Sequence, residues 1–152
     1  MQQLKPRALW ALLIALALLL PAASARARDW DVRMLNRGGD GTAMVFEPAF
    51  LSIRPGDRIR FVATDRGHNA ESIPGMIPQG ATAFRGRINQ EIVVTFTTPG
   101  LYGYKCLPHL GMGMVGLIQV GGATNRRDAA QTADRLPGRG KSVMLGLLGL
   151  VR

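Results

Sequence analysis

The one thiol of this 152-residue chain, Cys106, opens the run Cys106-Leu107-Pro108-His109-Leu110-Gly111-Met112-Gly113-Met114. An imidazole follows three residues after it and a thioether five residues later. Such soft and borderline donors select copper. The only other histidine, His68, lies in Asp65-Arg66-Gly67-His68-Asn69. If the two segments meet at one end of the fold, they supply two imidazoles, one thiolate and one long axial thioether, the donor set of a trigonal electron-transfer copper centre. Each residue alone is weak, because a lone loop histidine is ordinarily a surface residue, a methionine core filler and a cysteine a small buried hydrophobe. Together they say more. A free thiol is a liability in an oxidising compartment, and metal ligation gives it a use. Zinc could take Cys106, His68 and His109, but it gains little from a thioether and would leave Met114 idle. A Cys-His nucleophilic pair is the enzymatic alternative; it needs a free imidazole, an oxyanion site and a third orienting residue, and no residue of obvious type supplies the last.

These donors need a rigid frame, and the sequence supplies strands. Arg58-Ile59-Arg60-Phe61 alternates strictly, as does Ile92-Val93-Val94-Thr95-Phe96, and a period of two marks a strand with one buried face. Further strands are expected at Asp31 to Asn36, Val45 to Glu47, Phe50 to Arg54, Gly100 to Lys105 and Val115 to Val120. Gly38-Gly39-Asp40-Gly41, Pro55-Gly56-Asp57 and Pro99-Gly100 punctuate them. Seven or eight short strands with no long amphipathic helix between them predict an all-β, two-sheet sandwich. After Gly121-Gly122 the texture turns helical. Asn125 is placed to cap a short helix over Arg126 to Arg135, with Asp128 reaching back in a capping box. A second helix is expected from about Lys141 to Val151, with Val143, Leu147, Leu150 and Val151 on its buried side. Gly146 and Gly149 weaken it, so it must lean on the sandwich.

Residues 1–25 read as a secretory signal peptide: Lys5 and Arg7, then the apolar stretch Ala8 to Leu20, then Pro21 and Ala23-Ser24-Ala25 before the cut. The apolar stretch falls short of the roughly 20 residues that span a bilayer. The expected organisation is thus signal 1–25, copper-binding domain 26–120 and helical extension 121–152, in an exported protein with no stable membrane insertion after cleavage; the resemblance given below implies the periplasm. Loss of Lys5 and Arg7 lowers the net charge of +9 by two, to +7. A basic exported chain could bind nucleic acid or anionic lipid, yet no basic helix with interleaved aromatics is present, and nucleic acid is not expected. One cysteine excludes an intramolecular disulfide.

Lys105 to Gly116 (KCLPHLGMGMVG), Gly67 to Ala81 (GHNAESIPGMIPQGA) and Met44 to Phe50 (MVFEPAF) resemble the pseudoazurins, periplasmic cupredoxins of denitrifying and related bacteria. The likeness covers about Asp31 to Val120, and a helical tail after the sandwich is also a feature of that family. Plastocyanins share the Cys, His and Met spacing; the flanking strings and the tail favour pseudoazurin. The resemblance implies a Greek-key cupredoxin sandwich holding one type 1 (blue) copper ion, Cu+ or Cu2+, on His68, Cys106, His109 and Met114. It implies electron transfer, not enzymatic catalysis, to a periplasmic redox partner such as a copper nitrite reductase or another terminal reductase. A monomer is expected. Asn69, beside a ligand, is expected to turn its backbone N–H toward the sulfur and its side chain to the other ligand loop. Pro108 stiffens that loop and withholds an N–H from the sulfur. His109 would be the electron exit through an apolar patch of Met44, Pro108 and Met112, inside a basic rim of Arg37, Arg66, Arg85 and Lys105 that steers an acidic partner. Arginine stands at three rim positions where lysine is typical of the family, and Leu110 stands where an aromatic is often found. The alternative is a periplasmic copper-binding or copper-delivery protein using the same donors.

Overall fold

The first strand of the frame, β1 (Asp29–Arg37), lies parallel to β4 (Arg58–Val62) and antiparallel to β2 (Ala43–Glu47), in a computed structural model that describes residues 26–152. The signal peptide expected at 1–25 lies outside the described residues. With β6 (Ile92–Thr95) this sheet has the order β2-β1-β4-β6. The second sheet has the order β3-β8-β7-β5, built from β3 (Phe50–Ile53), β8 (Val115–Val120), β7 (Gly100–Lys105) and β5 (Glu71–Ser72). Both sheets are mixed, because β3 is parallel to β8 just as β1 is to β4. The two expected helices follow, α1 (Arg126–Ala133) and α2 (Arg139–Leu148). The architecture is the anticipated two-sheet sandwich with short C-terminal helices.

Alternation explains why the first sheet has one wet face. Ile59 and Phe61 of β4 are fully buried, while Arg58 and Arg60 point out. The parallel register sets Asp29 beside Arg58 and Asp31 beside Arg60. Each pair closes as a bidentate fork, with N···O distances of 2.6 and 2.7 Å for the first and 2.7 and 2.9 Å for the second. Exposed pairs of this kind contribute about 0 to 1 kcal/mol each, so they help fix register more than they stabilise.

The two central strands of the second sheet are dry on both faces. Every residue of β8 is buried, and all of β7 except Lys105. Tyr102, Tyr104, Cys106, Met114, Ile118 and Val120 join the core between the sheets. Leu101, Val115 and Leu117 join a second core, closed by Ala129, Ala133, Met144, Leu148 and Val151 of the tail. The tail is what turns an outer sheet face into an inner one. Gly116 is required here, because a Cβ on it would stand 2.1 Å from Cζ of Tyr104, whose ring fills that space.

Three local expectations change. Asn125 does not cap α1: its side chain makes a two-way clasp with the backbone of Leu101, accepting from N at 2.7 Å and donating to O at 2.9 Å. Tertiary pairing of a buried strand backbone takes precedence over the cap. The buried stripe of α2 is Gly140, Met144 and Leu148, with Val151 beyond the end, while Leu150 is exposed. The helix ends at Leu148, which leaves Leu150 beyond it, and its Met144 and Leu148 side faces the second core. Strand β5, with two residues, is too short to show a period and was not anticipated.

Asp57, in the turn after β3, ties the N-terminal segment to the sandwich. Its carboxylate accepts from Arg28 N at 2.8 Å, Arg54 N at 3.0 Å and Trp30 Nε1 at 3.2 Å. Burial pushes its pKa up, but these donors outweigh burial and hold it below the ordinary value of 3.8. The folded carboxyl therefore binds its proton less readily than the unfolded one, so its contribution is complete above the unfolded pKa and is lost as pH falls through the lower folded one. Asp57→Asn is expected to be less stable than the parent at pH 7 by about 1 to 3 kcal/mol, from unmatched buried donors. Denaturant unfolding should show that gap narrowing below about pH 4; a gap that stays constant on acidification would contradict the assignment.

Candidate metal centre

His68 lies in the segment between β4 and β5, and it is fully buried because neighbouring segments close over it. Its Nε2 is 2.9 Å from Oδ1 of Asn36, at the end of β1, which leaves Nδ1 to face the centre. Asn36 is itself held, its backbone N–H donating to Asp65 at 2.7 Å. On the other side Asn89 accepts from Gly67 N at 2.6 Å and donates its own N–H to His68 O at 2.8 Å. Neither asparagine was singled out from the sequence. Nothing local marks them, since each is more than 20 residues from His68, the residue it holds, and acts only through the fold.

Cys106 ends the buried strand β7 and is fully buried. The chain then makes a closed turn that carries the remaining donors. His109 N–H donates to Cys106 O at 3.2 Å, Met112 N–H to His109 O at 3.0 Å, Gly113 N–H to Leu110 O at 3.0 Å and Met114 N–H to His109 O at 3.2 Å, while Cys106 N–H returns to Met114 O at 3.0 Å. The 3-10 turn Leu110–Met112 lies at its centre. Met114 is fully buried and His109 is half-buried.

The two segments meet. Nδ1 of His68 and Nδ1 of His109 are 3.1 Å apart, and Cys106 Sγ lies 3.7 Å from the first and 3.5 Å from the second. These three residues form a donor cluster whose ligand atoms all lie within 4.8 Å of one another. Donors sharing one ion through bonds of about 2.0 to 2.3 Å must stand about 3 to 4 Å apart, so the set fits a single metal. Two imidazoles and a thiol, with a buried methionine in the same core as Cys106, fit copper in chemistry as well.

Electrostatics favour a neutral imidazole at His68 and, with no metal charge nearby, a protonated thiol at Cys106. Burial pushes the His68 pKa down, and the nearby His109 lowers it further, against an opposing pull from Asp65. Burial pushes the Cys106 thiol up. The backbone N–H groups of Asn69 and His109 pull it down, and the charge of Glu71 raises it. The Asn69 side chain accepts from Leu107 N at 2.8 Å and donates to Glu71 Oε2 and Gly86 O, each at 3.1 Å. One residue thus touches both ligand segments, and its amide is held from behind.

The surface residues named from the sequence are placed as follows. Arg37 follows Asn36 directly, is exposed and donates to Gly41 O at 2.9 Å. Arg66 is exposed two residues before His68. Lys105 and Arg85 both reach the buried Glu71, at 3.4 and 3.2 Å, and the Lys105 side chain is only 17% exposed. They bracket a carboxylate, which takes up part of the charge expected of them. Pro108 and Met112 are exposed, and Met44 is half-buried against the core with φ 53°.

Known proteins share this arrangement. A family profile described as copper binding proteins, plastocyanin/azurin family, matches residues 32–121. Pseudoazurin of Paracoccus pantotrophus is 52% identical over 130 residues, covering 86% of this chain and 88% of that protein. Native pseudoazurin from Hyphomicrobium denitrificans superposes with a TM-score of 0.77 at 37% identity, over 82% of this chain and 98% of that one. Pseudoazurin from Methylobacterium extorquens AM1 gives 0.76 at 39%, over 82% and 99%. Identity at this level, with the His-Cys-His cluster in place, makes this a one-copper electron carrier and not an enzyme. The chain belongs to the plastocyanin/azurin family of copper-binding proteins and, within it, to the pseudoazurins.

Proposed function

We propose that His68 Nδ1, Cys106 Sγ, His109 Nδ1 and the Met114 thioether would hold one copper ion, and that the protein carries single electrons to a terminal reductase in the periplasm. The observation that carries this is the mutual spacing of 3.1 to 3.7 Å among three donors from two distant segments. When bound, the copper supplies a one-electron couple. The chain's part is to keep the donors still: Asn36 orients His68, Asn69 links the two ligand segments, and Pro108 stiffens the turn between Cys106 and His109 without adding an N–H near the sulfur. Full burial of His68 and Cys106 favours a carrier over copper delivery, since handing on an ion requires donors that an acceptor can reach.

His109 is the exit for the electron in this reading, because it is the donor imidazole that is not fully buried. Met112, 47% exposed, and Pro108 beside it give a soft apolar contact, with Met44 as a further candidate. Arg37 and Arg66 supply the unneutralised part of the basic rim, and Arg85 and Lys105 share the charge of Glu71. Such a rim speeds encounter with an acidic partner, a copper nitrite reductase among the candidates, without much affinity. The family and the apolar stretch before Ala25 support a periplasmic setting, and no helix among the described residues is long and apolar enough to cross a membrane.

Copper(II) added to the purified chain without residues 1–25 is expected to develop a strong thiolate-to-copper absorption that saturates at one equivalent, and Cys106→Ser is expected to develop none. Binding without that absorption in the parent protein would overturn the thiolate assignment. With a copper nitrite reductase as acceptor, the second-order rate should fall steeply as salt rises toward 0.1 M, where the screening length is about 10 Å; a rate indifferent to salt would remove the steering role.

A further inference from the structure

The turn that carries His109 and Met114 is backed by the helical tail, and the contact is backbone against backbone. A Cβ built on Gly138, whose φ is +55°, would stand 2.5 Å from the carbonyl oxygen of Gly111. One built on Gly140, in the first turn of α2, would stand 2.8 Å from the carbonyl oxygen of Leu110. From the other side, Gly113 has φ +96°, and a Cβ there would be 3.1 Å from Val143 Cγ2 and 3.3 Å from Arg139 Cβ. Three glycines, two on the tail and one on the turn, let the surfaces approach closer than any side chain allows. Leu110 and Val143 flank the contact and pack on the same core.

This proximity bears on the metal because of how the turn is built. Its internal hydrogen bonds join Cys106, His109, Leu110, Met112, Gly113 and Met114 into one closed unit. A push at Leu110 or Gly111 therefore swings the turn about its start at Cys106, which β7 also holds, and carries with it the backbones of His109 and Met114. The other two donors are anchored elsewhere, Cys106 at the end of β7 and His68 between Asn36 and Asn89. Interiors are close-packed, so a displacement of this kind is transmitted and not absorbed. The long axial thioether is the donor most sensitive to a small shift, and it tunes the couple.

We propose that the N-terminal turn of α2, through Gly138, Gly140 and Val143, is a seat that sets where His109 and Met114 stand relative to His68 and Cys106, and so sets the reduction potential. The tail is then a positioning element of the centre as well as a lid on the second core. This rests on the ligand assignment proposed above.

The test compares the copper-loaded parent with Gly140→Ala, Val143→Ala and Gly146→Ala, reading the ratio of the thiolate-to-copper absorption bands, the reduction potential by voltammetry, and the melting temperature. Gly146 is the control, exposed on the same helix with nothing within 4 Å of its Cβ position. Gly140→Ala adds a group to the seat and Val143→Ala removes one. Both are expected to redistribute the bands and shift the potential, whereas Gly146→Ala should change the melting temperature alone. If the two seat variants lower the melting temperature but keep the parent's bands and potential, the tail has only a structural role and the inference is overturned. Should Gly140→Ala fail to fold, Val143→Ala decides by the same criterion. A parent protein without thiolate absorption would instead sink the ligand assignment, which separates the two failures.

Discussion

Two stretches of chain 38 residues apart are held together by one asparagine, and the centre depends on that clamp. Asn69, directly after His68, accepts through its side-chain oxygen from Leu107 N, directly after Cys106, at 2.8 Å. Its amide nitrogen is fixed in turn by Glu71 and Gly86. Without such a link, His68 and Cys106 would sit on the ends of different sheets, each free to follow its own. With it, two imidazoles and a thiol are gathered in a dry space, a costly arrangement unless each polar group has a partner. Asn36, Asn69 and the closed turn after Cys106 provide those partners.

The rest of the fold divides the labour around that end. One sheet keeps a wet outer face, laced by Asp29–Arg58 and Asp31–Arg60, where opposite charges cancel. In the other sheet the central strands β7 and β8 have no wet face, because they are covered by the interior on one side and by α1 and α2 on the other. Strands covered on both sides are the stiffest in the molecule, and these two lead into and out of the ligand turn. Arg37 and Arg66, by contrast, lie beside Asn36 and His68 and take part in none of the ion pairs found among the described residues. Charge that is cancelled on one face and left free near the donors gives the molecule an electrical direction.

Much of this was legible in the sequence, and what was not has a common cause. The alternation of Arg58 to Phe61 and of Ile92 to Phe96 announces strands because a period of two needs only neighbours. The Cys106, His109 and Met114 spacing announces soft-metal chemistry for the same reason. Asn36 and Asn89 gave no signal: their roles exist only when β1 and the loop before β6 lie beside His68. Asn125 carried a signal for a helix cap and is used to clasp Leu101, because a strand backbone within the fold needed a partner more than the helix end did. Lys105 read as surface charge until Glu71, on a two-residue strand, was found opposite it in the β5–β7 register. In α2, the helix ends at Leu148 and leaves Leu150 outside it, while packing on the sandwich selects the face that carries Met144. Local periodicity and donor type are written in short stretches, whereas long-range partners are written in none.

The central claim is that the protein, and not the metal, brings the donors together. Crystal structures of the metal-free and copper-loaded forms measure this directly. The account predicts that the His68, Cys106 and His109 donor atoms coincide in the two forms within about 0.5 Å, the tolerance of a preorganised site. A metal-free structure in which the His109 turn has swung away, or in which Asn69 no longer reaches Leu107, would contradict it.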